Sequence, residues 1–306
     1  MPYESVPRQL RRIAVRDIEL VSIAGSAAAR IVVLLAVFLS LLAARSQATP
    51  LVLVTIIPQA FFVDQLAQGE VKTATLIPKG ASAETFEPSI VQLRAASSAR
   101  LYLRLGHPNF PLERTWSDTL HKDNPKLRVV DVIGSPLGAD PHVWLSPQGA
   151  LEMARSTHLA LKQEFPELGV MLDDNLASIE ELIQTTELKI KELLSGHAGR
   201  TFLTYHPAWG HFASAFSLKQ LSIEQDGKEP SPSMLAKILR EARASRITTI
   251  FVQPQFPIAS AKMVAEELGA SLATIDELAY DWPANMLDVA NKFKVSFAGG
   301  SVENTA

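Results

Sequence analysis

From residue 51 onward, short runs of apolar and β-branched residues alternate with longer stretches in which apolar positions recur every three or four residues. A short apolar run bounded by turn formers suits a strand buried on both faces, whereas the three-to-four spacing gives a helix one apolar stripe. In the first half the pattern predicts strands over 51–57, 71–77, 101–105 and 128–132, and helices over 59–68, 89–99 and 112–121. In the second half it predicts strands over 201–205, 220–223, 248–252 and 271–275, and helices over 208–216, 232–245 and 258–268. Alternation of this kind marks an α/β fold, with parallel-type sheets flanked by helices. Proline at the first helical position is expected at Pro88 and Pro232.

Between the halves, from Pro147 to Leu194, no strand pattern occurs. Leu172, Leu176, Ile179, Ile183, Ile190 and Leu194 recur at helical spacing, with Asp173 and Asp174 near the start, Lys189 and Lys191 near the end, and Gly196 as a stop. Acid first and base last suits the helix dipole. The spacing predicts roughly 25 residues of continuous helix, about 37 Å at the usual rise. Such a helix is long enough to join two α/β lobes, or to lie on the surface of a single domain.

The first 48 residues differ in character. Arg8, Arg11, Arg12, Arg16 and Arg30 precede an apolar run from Ile31 to Leu39, extended by Leu41 to Ala44. A membrane span needs roughly 20 apolar residues, so this is the charged region and short apolar region of a signal peptide. Ser46-Gln47-Ala48 places small residues where a signal peptidase reads, and cleavage is expected after Ala48. The sequence contains no cysteine, which excludes a lipid-anchoring cysteine, a disulfide framework and a thiolate metal site. The expected product is therefore a soluble periplasmic protein. Residues 1–48 hold six of the 29 Lys/Arg and three of the 32 Asp/Glu, so the remainder carries 23 basic and 29 acidic side chains, a formal charge of −6. That balance gives no support to nucleic-acid binding.

In open α/β sheets, ligands bind beyond the carboxyl ends of the strands. Glu84 lies in the loop after the strand predicted at 71–77, and His142 in the loop after 128–132. His206 and Asp276 directly follow the strands predicted at 201–205 and 271–275. Imidazole together with carboxylate suits Zn²⁺, Mn²⁺ or Fe²⁺. Two carboxylates brought together without a cation would each lose several kcal/mol of solvation. Each residue also has an ordinary structural role open to it: Asp276 as a helix cap, Glu84 as a solvated acid. His121, His158, His197 and His211 are read as surface or hydrogen-bonded residues.

Five segments occur in a fixed order: Gly80-Ala81-Ser82-Ala83-Glu84-Thr85-Phe86-Glu87-Pro88, Asp140-Pro141-His142-Val143-Trp144-Leu145-Ser146-Pro147, Tyr205-His206-Pro207-Ala208-Trp209, Gly227-Lys228-Glu229-Pro230-Ser231-Pro232 and Ile275-Asp276-Glu277-Leu278. In these the chain resembles the zinc/manganese-type solute-binding proteins of ABC metal-ion importers, the family of periplasmic zinc-binding proteins and metal-binding adhesins. The resemblance implies two α/β lobes, 49–165 and 199–306, joined by one long rigid helix within 166–198, with one metal ion between the lobes. It implies metal ligation by His142, His206 and Asp276. Members usually place a histidine where this chain has Glu84, which leaves three ways to complete the set: the Glu84 carboxylate, which is favoured, His107 in Leu105-Gly106-His107-Pro108, or water. The His- and acid-rich loop of many zinc members is missing.

The function so implied is capture of Zn²⁺ or Mn²⁺ by a monomer and its delivery to the membrane permease of an ABC importer, with no enzymatic step. The sequence has no His-Glu-x-x-His run, no Gly-x-Ser-x-Gly turn, and no spare base beside the ligands other than Glu87. A rival of the same architecture would bind a metal chelate such as a siderophore, haem or cobalamin, with Trp144, Trp209 and Phe86 lining the cleft. A zinc-dependent hydrolase and a cell-attachment role are weaker alternatives.

Overall fold

Two four-stranded parallel sheets, one from each half of the chain, share the same strand order. In the first, β1 (Leu51–Val54), β2 (Lys72–Thr75), β3 (Leu101–Arg104) and β4 (Arg128–Asp131) run β2-β1-β3-β4. In the second, β5 (Thr201–Thr204), β6 (Lys219–Ser222), β7 (Thr249–Val252) and β8 (Ser271–Thr274) run β6-β5-β7-β8. Parallel pairing needs a crossover between successive strands. Helices α1 (Ile57–Ala67), α2 (Ile90–Ala96) and α3 (Pro111–Asp123) serve the first sheet, and α6 (Gly210–Ala215), α7 (Pro232–Ala244) and α8 (Ala259–Leu268) the second. Helices α4 (Pro147–Glu164) and α5 (Gly169–Leu193) lie between the sheets in the chain, and α9 (Trp282–Phe297) follows β8. This computed structural model describes residues 49–133, 138–224, 228, 230–300 and 302, so the expected signal peptide lies outside the described residues. Among the described residues no helix is long and apolar enough to cross a membrane.

All strands except β7 end one to three residues earlier than the apolar pattern predicts, which releases Tyr205 and Ile275 into the loops that follow. Pro232 does open α7, with Ser231 Oγ accepting from Met234 N (3.3 Å). Pro88 does not open α2. That helix starts at Ile90 because Ser89 and Gln92 form a reciprocal capping box, Gln92 Oε1 accepting from Ser89 N at 2.8 Å. Helix α9 covers a stretch to which the sequence reading assigns no element, although Met286, Val289, Ala290, Phe293 and Phe297 form a buried stripe at helical spacing. Asp281 caps it through Ala284 N, and the Trp282-Pro283 pair at its start resembles a turn signal in sequence.

Helix α5 has 25 residues, and its buried face carries Leu172, Ile179, Ile183 and Ile190. It packs against α1 and α4 from the first half and α9 from the second. One hydrophobic cluster runs through Phe62, Trp144, Ile183, Trp209, Trp282 and Phe293, so both sheets share a core. Buried indole N–H groups need acceptors, and those of Trp144 and Trp282 find theirs across the two halves. Trp144 Nε1 donates to Glu277 O (2.8 Å) and Trp282 Nε1 to Trp144 O (2.7 Å). Tyr280 adds a hydrogen bond to Asp64 (2.8 Å) and an edge contact with Phe61.

Candidate metal centre

The loop after β2 is shaped by Ser82, whose hydroxyl accepts from Glu84 N (3.2 Å) and donates to Glu84 Oε2 (2.7 Å). That leaves Oε1 turned inward, 3.1 Å from His206 Nε2 and 3.6 Å from His142 Nε2. His142 sits in the connection from β4 to α4, at the start of a 3₁₀ turn over Val143–Leu145. Asp140 Oδ1 accepts from both the backbone N (3.0 Å) and Nδ1 (2.8 Å) of His142. His206 lies two residues past β5, its backbone clamped on both sides by Gln253 at 3.2 and 2.9 Å. Its Nδ1 donates to Glu224 Oε2 (2.6 Å), and Phe256 stacks on the ring at 4.5 Å.

With a carboxylate on each Nδ1, the two imidazoles are held in one tautomer and both Nε2 atoms face a common point, 3.4 Å apart. Zinc with ligand distances of about 2.0–2.1 Å in tetrahedral geometry separates neighbouring donors by about 3.4 Å. The three separations of 3.1, 3.4 and 3.6 Å bracket that value. Among the described residues this is the one group of three metal-ligating side chains whose donor atoms all lie within 4.8 Å of one another. Both histidines are buried, while the Glu84 side chain keeps 31% exposure. Glu84 therefore stands at the mouth of the site, where a cavity of roughly 270 Å³ opens among Ser82, Tyr205, Glu224, Gln255 and Phe256.

The electrostatics describe a site whose carboxylates favour positive charge on the imidazoles. Burial opposes ionisation of Glu84, but hydrogen bonds from His142 and His206 outweigh it and hold the carboxyl far below its usual range. Burial likewise opposes charge on His206, yet Glu224 and Glu84 push its pKa up to about 10. His142 is raised as well, burial being overcome by Asp140 and Glu84. Asp140 is lowered, its desolvation offset by the His142 hydrogen bond. Binding of a divalent cation there would have to displace protons from imidazoles whose carboxylate neighbours favour the charged form.

Asp276 does not join the three donors. Its Oδ1 accepts from Gln255 Nε2 (2.7 Å) and Leu278 N (2.9 Å), which fastens a turn. It caps no helix, since α9 begins at Trp282 on Asp281. His107 is also outside the group: Nδ1 accepts from Asn109 N (3.1 Å) and Nε2 bonds Gly138 O (3.2 Å). His158 pairs with Asp173 (2.8 Å), His211 with Asp140 O (3.0 Å), and His197 packs on Phe297.

Residues 52–294 match the family described as ZnuA, zinc-uptake complex component A, periplasmic. The chain belongs to that family. It is 25% identical over 254 residues to the zinc-binding lipoprotein AdcA of Streptococcus pneumoniae, covering 74% of this chain and 50% of that one. The chain thus spans about half the length of the first curated relatives it matches. A crystal structure of ZnuA superposes with a TM-score of 0.77 at 30% identity, over 81% of this chain and 99% of the other. The Zn(II)-bound ZnuA-like domain of S. pneumoniae AdcA gives a TM-score of 0.68 at 23% identity, again over 81% and 99%. A Mn-bound periplasmic metal binding protein from Candidatus Liberibacter asiaticus gives 0.71 at 20% identity, over 81% and 99%, and these two show a shared fold.

Within this member of the zinc-uptake family, sequence reasoning overlooked the carboxylates behind the ligands. Glu87 is the one spare carboxylate that the sequence pattern offers, but Glu224 bonds His206 Nδ1 and Glu277 is buried in the loop after β8. Burial pushes the Glu277 carboxyl up to about 8, and the nearby His206 and His142 pull the other way. A signal existed for both, since each directly follows or nearly follows a predicted strand. Trp144 and Trp209, considered as cleft linings for a chelate, are wholly buried in the core.

Proposed function

We propose that this protein captures one divalent transition-metal ion, Zn²⁺ or Mn²⁺, with Glu84, His142 and His206 as protein ligands and a carboxylate of the β8 loop, Asp276 on the sequence reading, completing the shell. The single observation that carries this reading is the donor triangle of 3.1, 3.4 and 3.6 Å, with each histidine oriented by a carboxylate at Nδ1. The occupied ring nitrogens of His107 favour Glu84 over it as the first ligand.

Two imidazoles with carboxylate oxygen form a harder set than three histidines and accommodate Mn²⁺ more readily, although Zn²⁺ wins in open competition. The periplasmic zinc-uptake family supports the next step, delivery of the ion to the permease of an ABC importer. On this reading residues 1–48 are a signal peptide removed on export, the product carries no lipid anchor, and a monomer of two lobes (49–165 and 199–306) is bridged by 166–198. The ion is cargo and no bond in a substrate is broken. The burial of Trp144 and Trp209 counts against a chelate in its place.

The test is metal analysis of protein purified without chelator, followed by calorimetry. About one ion per chain is expected, and removal of one imidazole by His206→Ala should weaken binding by about 100-fold or more. Equal affinity in that variant rejects the assignment.

A further inference from the structure

Glu84 is the one member of the donor triangle that can offer a metal more than one atom. Each imidazole has a single nitrogen available, because its Nδ1 is bonded to Asp140 or Glu224. A carboxylate has two oxygens and binds a cation through one or through both. The two oxygens of Glu84 have different surroundings. Oε1 faces the histidines, 3.1 Å from His206 Nε2 and 3.6 Å from His142 Nε2. Oε2 accepts from Ser82 Oγ at 2.7 Å, and the same hydroxyl accepts from Glu84 N at 3.2 Å. Ser82 therefore grips both the backbone and the side chain of Glu84 and fixes which oxygen is turned to the centre.

That division bears on the choice of metal. A closed zinc site is four-coordinate, and four ligands giving one atom each fill it. Mn²⁺ prefers six-coordinate shells rich in oxygen. Oε2 belongs to a carboxylate already turned toward the centre, so a second Glu84 bond is the shortest route from four donors toward six. Room for further donors is present. A cavity of roughly 270 Å³ opens beside Ser82, Glu84, Glu224 and Gln255, enough for several waters at about 30 Å³ each. On this side the shell is restricted by the hydrogen bond on Oε2 and not by lack of space.

Resting on the metal-capture reading above, we propose that Ser82 is a specificity-determining residue, which by holding Oε2 keeps Glu84 a one-oxygen ligand and so favours Zn²⁺ over Mn²⁺. The donor types alone, imidazole with carboxylate oxygen, accommodate Mn²⁺. Ser82 opposes that tendency without touching the ion, as a positioning residue that acts through Glu84.

The test compares wild type, Ser82→Ala, Ser82→Thr, Glu84→Gln and the double variant Ser82→Ala with Glu84→Gln, all on the full chain. Zn²⁺ and Mn²⁺ affinities come from competition against a chelating dye, and Co²⁺ absorption reports the geometry of the shell. Ser82→Ala is expected to lower the ratio of Zn²⁺ to Mn²⁺ affinity by about tenfold. It should also weaken the Co²⁺ d–d bands, which are intense in four-coordinate and faint in six-coordinate geometry. Ser82→Thr keeps the hydroxyl and should restore the wild-type ratio and bands. A carboxamide has only one ligating oxygen, so in the Glu84→Gln background the further change Ser82→Ala should move the ratio by less than about twofold. The Ser82 bond lies in an exposed loop, so the ion-free melting temperature of Ser82→Ala should match wild type. Should that variant not fold, Ser82→Gly removes the same hydroxyl. An unchanged ratio on loss of the hydroxyl, a loss shared equally by Zn²⁺ and Mn²⁺, or a shift that persists in the Glu84→Gln background overturns the assignment and leaves metal capture standing. Failure of wild type to bind any of the three ions, with His206→Ala no different, overturns metal capture itself.

Discussion

His142 and His206 present Nε2 to the centre because Asp140 and Glu224 each take an Nδ1, at 2.8 and 2.6 Å. Such partners set the tautomer, the ring orientation and the basicity of the ligating nitrogen. Glu224→Gln keeps the shape and removes the charge, so Zn²⁺ affinity should fall by about 10- to 100-fold with the fold intact. Competition against a chelating dye measures this, and an unchanged affinity would reduce Glu224 to a packing residue. The histidines themselves were legible in the sequence, because each sits in a segment that follows a strand. Glu224 was marked only as an acid after a strand, because its contact with His206 depends on β6 lying beside β5 in register, Thr204 against Ser222. Glu84 was legible as a candidate, and only its contact with both imidazoles separates it from His107.

At the scale of elements, the start of α6 holds the loop that carries His142. Gly210 lies against Asp140, and a Cβ on Gly210 would stand 2.7 Å from Asp140 Oδ2. That atom belongs to the carboxylate that orients His142. Gly210→Ala should therefore cost metal affinity by about tenfold, although alanine favours a helix over glycine by about 1 kcal/mol and the melting temperature should hold. Calorimetry and thermal melting on one preparation decide it, and wild-type affinity would show that the loop absorbs the methyl group. Helix α5 was readable from its apolar spacing and charge order. Its partners α1, α4 and α9 were not, since periodicity records that a face is buried and is silent on what covers it.

Over the whole molecule, a shared core and one continuous helix oppose a wide hinge motion. Trp144, Trp282 and the Tyr280–Asp64 bond tie the halves to each other. Metal binding should change the radius of gyration by less than about 1 Å in scattering with and without ion, and a larger change would contradict this rigidity. The ion-free protein should also respond to pH in a definite direction. His206, raised from 6.5 to about 10, contributes stability that is complete below 6.5 and lost as pH climbs toward 10. Glu277, raised from 4.5 to about 8, loses its contribution over that lower interval in the same direction. Glu84, depressed below 4.5, contributes above that value and loses it only in acid. The melting temperature of the ion-free protein should thus decline from pH 6.5 toward 10, while the Zn²⁺ form, whose histidines are already deprotonated, should not follow it. A rise in the ion-free form over that range would refute the assigned charge states.

The sequence by itself determined the α/β class, the strand-and-helix alternation, the long central helix and the placement of Glu84, His142, His206 and Asp276 on strand ends. Those properties are local, because the direction in which a side chain is buried follows from its position in a repeat of two or 3.6 residues. The tertiary structure alone decided which of those residues touch. Glu84 reaches two imidazoles while Asp276 turns to Gln255, His107 bonds its own loop, and Glu224 stands behind His206. Contacts between loops some 60 or more residues apart, such as Glu84 with His206, depend on sheet order and on how two sheets share one core, and no repeat along a chain encodes that distance.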